Sequence, residues 1–247
     1  MNARALHPDS DSALLRELAL AAVRARRSIV DMGHSARIRL HYGAILGIVD
    51  IVTLLYHRWL RVRPSQPAWP ERDRFVLSKG HGAPAVYAAL ADRGFFDPSE
   101  LRGFRRLGSR LQGHPDRLKT PGIDATTGSL GQGLGVAVGM ALAAQRTGAS
   151  WRVYCLVGDG ECNEGSIWEA ALIAANQGVD RLTVLLDRNR KSSYGAMANR
   201  NDVEPLAAKW ADFGWKVFET DGHDFVSMSA ALASAAECRG SPSVVIC

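Results

Sequence analysis

One stretch constrains the fold of this chain more than any other. Val153 to Val157 is an apolar run that ends in Gly158-Asp159-Gly160-Glu161. A helical segment opens at Glu164-Gly165-Ser166-Ile167-Trp168-Glu169-Ala170, and a second apolar run, Leu182 to Leu186, ends in Asp187-Arg188-Asn189. Strand, turn, helix, strand is a βαβ unit. Open α/β sheets bind ligands at the carboxyl ends of their strands, where both polar clusters fall. Asp159 and Asn189 stand 30 residues apart, about one βαβ repeat, so they can face one crevice. Gly158 and Gly160 let backbone approach a bulky anion and leave N–H groups pointing at it. A helix start near Glu164 adds the positive end of a helix dipole. Asp159 and Asn189 offer one anionic and one neutral oxygen, a pair suited to Mg²⁺ or Ca²⁺ carrying a phosphate.

Composition excludes several classes. The 247 residues are 47% hydrophobic and 22% charged, ordinary for a globular protein and enough to bury a full core in one domain. No apolar run approaches the roughly 18 residues that span a bilayer, and Met1 to Asp11 lacks the apolar core of a signal peptide, so a cytoplasmic protein without membrane attachment is expected. The net charge of +5 is scattered. Arg102, Arg105 and Arg106 cluster on one expected helix and read as a solvated face; nucleic-acid binding is not expected. Cys155, Cys162, Cys238 and Cys247 have no C-x-x-C spacing, which supports neither zinc nor a disulfide framework.

Residues 1–11 are polar and expected to be flexible. Leu14, Leu15, Leu18, Ala21, Ala22 and Ala25 predict a helix from about Ser12 to Asp31. After His41-Tyr42-Gly43, Ile45 to Leu55 is apolar on most sides, which predicts a buried or interface helix. Helices are also expected over about 83–93, 98–107, 134–146, 203–213 and from Asp224 to about Cys238, and strands over 215–219 and 243–246, with a turn at Tyr194-Gly195. Asp97 before Pro98 is a helix start signal, and Asp224 is placed as an N-cap. Gly131-x-Gly133-x-Gly135 lacks the spacing of a dinucleotide fingerprint, and no strand precedes it.

The motifs of the central unit resemble the thiamine diphosphate (ThDP) motif of transketolases. Four more stretches resemble that family in its own order. They are Asp73-Arg74-Phe75-Val76-Leu77-Ser78-Lys79-Gly80-His81-Gly82, Gly113-His114-Pro115-Asp116, Gly122 to Gly133, and Asp221-Gly222-His223-Asp224. His41-Tyr42-Gly43 is similar to the family's His-Pro-Gly, with Tyr42 for Pro. Arg188 replaces the middle Asp or Asn of the family's last motif and is either exposed and neutral or retunes the site. Lys79 falls at a variable position.

The resemblance implies a doubly wound, mainly parallel sheet with helices on both faces, the diphosphate domain, over residues 12–247. It implies that Asp159, Asn189 and the Lys191 carbonyl hold Mg²⁺ (or Ca²⁺). Gly158, Gly160 and Glu161, with His81 and His223, would meet the diphosphate, and Gly128 and Leu130 the aminopyrimidine. His41, His81, His114 and His223 would line the substrate channel. On the residues alone His41 reads as a loop residue capping a helix, where the resemblance implies a site role; Asp221 to Asp224 reads as a β–α turn, which is compatible with a site. The pyrimidine-binding domain, whose Glu starts the family's proton relay, is not seen in this sequence. The expectation is therefore an N-terminal subunit of a split transketolase, working with a C-terminal transketolase-like subunit in a heterotetramer. It would move a two-carbon ketol unit from a ketose to an aldehyde through an enamine on the cofactor. The alternatives are a subunit of another ThDP enzyme, acyloin-forming or decarboxylating, and a non-catalytic partner that keeps the fold. The interface with a second chain is a further expected use for the apolar helix after His41.

Overall fold

The strands read from the apolar runs sit at the middle of one sheet. The computed structural model describes residues 5–192, 195–196 and 201–247. Five strands, β1 (Arg74–Leu77), β2 (Val153–Gly158), β3 (Leu182–Asp187), β6 (Lys216–Glu219) and β7 (Ser243–Ile246), form a sheet in the order β1-β2-β3-β7-β6, every pair parallel. β2 and β3 are buried at every position, which explains why they read as continuous apolar runs rather than as alternation. Two short antiparallel strands, β4 (Lys191–Ser192) and β5 (Gly195–Ala196), follow β3. The turn expected at Tyr194-Gly195 includes Tyr194, which lies outside the described residues.

Parallel strands need crossovers, and these cover both faces. On one face lie α5 (Gln132–Thr147), α6 (Gly165–Asn176) and α7 (Leu206–Asp212), around Leu134, Ala141, Ile167, Trp210 and Trp215. On the other lie α1 (Ser12–Ala36), α3 (Val49–Leu54), α4 (Ala83–Asp92) and α8 (Phe225–Glu237), around Ile29, Ile48, Tyr87, Phe104 and Leu232. The doubly wound sheet is as expected from the sequence.

The apolar segment after His41 has a different role from the interface one. It divides at Gly47 and Ile48 into α2 (Tyr42–Leu46) and α3, which runs on into a π-helical turn over Leu55–Trp59. Ile45, Ile48, Val49, Ile51, Val52, Leu54 and Leu55 are each at most 1% exposed within this chain alone, packed among α1, α4 and α8. Its hydrophobicity is spent on the core, so no second chain is needed to explain it.

Three local expectations also change. Residues 98–107 form a 3₁₀ turn over Pro98–Gly103 only; Asp97 does cap it, accepting from Ser99 N at 2.7 Å. Arg105, at φ +58°, stands outside that turn, so the three arginines do not share one helix. Residues 5–11 are docked rather than loose: Leu6 is 2% exposed and its N–H donates to Ser229 Oγ at 2.7 Å. Asp224 caps α8 as expected, accepting from Val226 N and Ser227 N at 3.1 Å. The four cysteines are free thiols, and burial raises the Cys155 thiol well above its usual range. Among the described residues no helix is long and apolar enough to cross a membrane.

Candidate cofactor cleft

Parallel register sets the site. Leu77 pairs with Leu156 and Gly158 with Asp187, so β1, β2 and β3 release their following loops side by side at one sheet edge. A cleft of about 580 Å³ opens there. Of the residues expected in a site, His41, His81, Leu130, Gly158, Asp159, Gly160, Glu161, Asn189 and Lys191 line it. Gly128, His114 and His223 do not.

Gly128 and His114 stand together nearby. A Cβ on Gly128 would fall 3.3 Å from His114 Cγ, so the ring packs against bare backbone. Gly80 explains how this loop is fixed: a Cβ there would come within 2.9 Å of Gly128 Cα. Only glycine permits backbone contact so close. The loop that carries His81 is thereby clamped to the loop that carries Leu130. His41 closes the same side, its ring 5.4 Å from that of His81 in an edge contact. Burial pushes His81 down to about 4, helped by the Lys79 charge and then by His41 and His114. Neutral at pH 7, it can donate at one ring nitrogen and accept at the other.

Glu161 joins three loops. Its Oε1 accepts from Ser78 Oγ (2.8 Å) and Gly131 N (2.9 Å), and its Oε2 from Gly158 N (3.0 Å). Burial raises its carboxyl above the usual range, against these three hydrogen bonds and the Lys79 charge. It lines the cleft, but its oxygens are engaged in fastening the ends of β1 and β2 to the start of α5.

Asp159 is 2% exposed. Its Oδ1 accepts from Gly160 N at 2.8 Å and its Oδ2 from Arg190 N at 2.6 Å, which tethers the segment after β3 to the turn after β2. Here the Gly160 N–H, expected on a diphosphate, turns to this carboxylate. Burial pushes Asp159 up to about 6. Among the described residues it makes no ion pair, so it is a buried anion whose contacts are backbone donors. Asn189 donates Nδ2 to Asp187 Oδ2 at 2.7 Å, and its Oδ1 accepts from Lys191 N at 2.9 Å.

Lys79 is a cleft residue that the motifs did not single out. It is 2% exposed; its Nζ pairs with Asp187 Oδ2 and donates to the Ala44 carbonyl at 3.0 Å. A Cβ on Gly158 would meet the Lys79 stem at 3.2 Å, so glycine makes room for the lysine as well as for a ligand. The only sequence signal was a lysine inside a stretch that is otherwise buried. Lys79→Met is expected to lower stability by about 3 kcal/mol, since it leaves the Asp187 carboxylate buried without its cation. Urea unfolding measures this. A double variant that also carries Asp187→Asn should recover part of the loss, and equal losses in both would remove the pair from the account.

Arg188 points away from the cleft. It donates Nε to Glu204 Oε1 at 2.5 Å, with Glu219 Oε2 3.7 Å from its NH1. It is half-buried and does not line the cleft, so its replacement of an Asp or Asn leaves the cleft lining intact. Tyr42 lines the cleft rim and turns its hydroxyl toward α1, where a Cβ on Gly33 would meet it at 2.2 Å.

Known proteins share this fold. The family description "Transketolase, thiamine diphosphate binding domain" matches residues 18–247. The chain is 45% identical over 206 residues to the 6-deoxy-6-sulfo-D-fructose transketolase subunit SqwG of Clostridium sp. (strain MSTE9), covering 83% of this chain and 75% of that one. It is 42% identical over 230 residues to an apulose-4-phosphate transketolase subunit of Actinobacillus succinogenes, covering 93% and 83%. The transketolase structure from Leishmania mexicana superposes with a TM-score of 0.87 at 33% identity, over 93% of this chain and 36% of that one. The chain thus spans about a third of the length of such transketolases. With the doubly wound sheet, the carboxyl-end cleft and a match over nearly all its length, this chain belongs to the transketolase family and carries its thiamine diphosphate binding domain.

Proposed function

We propose that this chain is the diphosphate-binding half of a two-chain transketolase, moving a two-carbon ketol unit from a ketose to an aldehyde in the cytoplasm. The observation that supports it best is the cleft itself, where Gly158, Asp159, Gly160, Asn189, Leu130, His41 and His81 converge at one sheet edge. Relatives that bear the name transketolase subunit support the two-chain reading.

The donor set fits a hard divalent cation. Among the described residues no group of three or more His, Cys, Asp or Glu side chains is placed to hold a metal. The proposed set is of another kind: the Asp159 carboxylate, the Asn189 amide oxygen and the Lys191 carbonyl. These are oxygen donors, and the buried Asp159 carboxylate lacks a cation among the described residues, as a Mg²⁺ or Ca²⁺ site requires. Asn189 would release the Lys191 N–H and turn Oδ1 to the ion, with Asp187 still holding its Nδ2. Gly160 leaves room beside its backbone for the diphosphate: nothing lies within 4 Å of a Cβ built there. Leu130, 37% exposed, is an apolar side chain free to meet an aromatic ring. When bound, ThDP supplies the chemistry that breaks and forms the carbon–carbon bond. This chain's part is to bind, to orient and to carry protons: neutral His81 and the adjacent His41 offer donors and acceptors to substrate hydroxyls. His114, beside Gly128, extends that row. The other half of the site, with the pyrimidine-binding domain and its Glu, would come from the C-terminal subunit of a heterotetramer.

Thermal unfolding with ThDP and Mg²⁺, for this chain alone and mixed with its partner subunit, tests the reading. Ligand at about 100 times Kd adds roughly 2.7 kcal/mol, which should raise Tm by about 5–10 °C. A shift in the mixture is the expected result, and a shift for the chain alone would mean a preformed diphosphate site. No shift in either, with the complex formed, would favour a non-catalytic partner.

A further inference from the structure

His223 lies away from the cleft lining, yet it is held by a network that no sequence motif announced. Its ring is 61% exposed, and its Nδ1 lies 2.7 Å from Asp50 Oδ2. Asp50, on α3, is 8% exposed at its side chain. Arg26, on α1, binds both oxygens of Asp50, NH1 to Oδ1 at 2.9 Å and NH2 to Oδ2 at 2.6 Å. Three elements therefore meet at one carboxylate. The segment is also fastened from below: the His223 N–H donates to Asp221 Oδ1 at 2.8 Å, and Gly222 packs on the end of β7, where a Cβ would stand 2.9 Å from Cys247 Cβ. The backbone is thus set at the same carboxyl edge from which the cleft opens.

The chemistry of this triad is directional. Arg26 has donors only, so it holds Asp50 as an acceptor. A buried carboxylate that engages a guanidinium with both oxygens can only accept from His223, so Nδ1 carries the proton. Nε2 is left as the free lone pair on the exposed edge. We propose that Asp50, held by Arg26, is a positioning residue that fixes His223 as the Nδ1–H tautomer and keeps Nε2 available as a proton acceptor. On taking a proton there, the ring becomes a donor to an anionic oxygen. A lone aspartate inside the run Ile48-Val49-Asp50-Ile51-Val52 is the only trace of this in the sequence. The functional consequence rests on the proposed role of His223 in the site; the tautomer does not.

The test is the tautomer itself, read by long-range ¹H–¹⁵N correlation of the histidine rings near pH 8, with His223→Gln for assignment. The wild-type chain should show His223 protonated at Nδ1. In Asp50→Leu, near-isosteric and without an acceptor, the Nδ1–H loses its partner and the proton should move to Nε2. A His223 spectrum that is Nε2–H or mixed in the wild type, or unchanged in Asp50→Leu, would overturn the proposal. Far-ultraviolet dichroism and Tm confirm that the near-isosteric variant is folded. If it is not, the wild-type tautomer alone decides, and Arg26→Gln, expected to weaken the preference for Nδ1–H, gives the second measurement. Turnover of the assembled two-chain enzyme is then compared. With the tautomer moved, kcat should fall at least about tenfold. A moved tautomer with unchanged turnover would leave the positioning chemistry standing and remove His223 from the catalytic reading.

Discussion

Replacing Asp159 by alanine is expected to weaken Mg²⁺-dependent ThDP binding in the assembled complex by at least about 100-fold, or roughly 2.7 kcal/mol. The carboxylate is the one anionic donor of the proposed set, and a hard cation held with a diphosphate depends on it. Alanine also frees the Gly160 and Arg190 N–H groups that Asp159 now accepts, which loosens the segment after β3 and adds to the loss. Asp159→Asn separates the two effects, because its amide oxygen can still accept a hydrogen bond while the charge is gone. Calorimetric titration of ThDP at fixed Mg²⁺ should find Asn nearly as damaging as Ala. Wild-type affinity in both variants would refute the metal-ligand role.

Glu161→Ala should be the most destabilising single change at the site. It strands three donors, Ser78 Oγ, Gly131 N and Gly158 N, each worth about 1–3 kcal/mol when buried without a partner. The Ser78 hydroxyl can turn elsewhere, so a total of about 3–6 kcal/mol is expected, a large share of the roughly 5–15 kcal/mol that holds an ordinary domain. Guanidinium unfolding measures it. A loss below about 1 kcal/mol would mean that water satisfies the donors and that Glu161 does not clamp the loops. Glu161→Gln should fall between: one amide oxygen still accepts, while the NH₂ confronts a donor. The clamp also shows why a residue expected to meet the cofactor has a mechanical role. Gly158 lines the cleft and Gly131 stands between Leu130 and α5, so both must keep their positions for the cleft to keep its shape.

Residue order alone was enough for the central sheet and for most of the residues that line the cleft, though not for Lys79. Val153 to Val157 and, Thr183 apart, Leu182 to Leu186 are apolar because both faces of β2 and β3 are covered. Parallel strands in register then carry Gly158-Asp159-Gly160 and Asp187-Arg188-Asn189 to one edge. Such motifs are local, so their backbone demands and donor types can be read along the chain. Where the polar side chains place their hydrogen bonds was settled by the folded chain instead. Lys79 reaches Asp187 across 108 residues, Glu161 reaches Ser78 across 83, and His223 reaches Asp50 across 173. Periodicity reports which side of an element faces the core, not which partner waits there. The apolar helix after His41 shows the same limit: its pattern demanded burial, and whether its own core or a second chain supplied it depended on the packing of α1, α4 and α8.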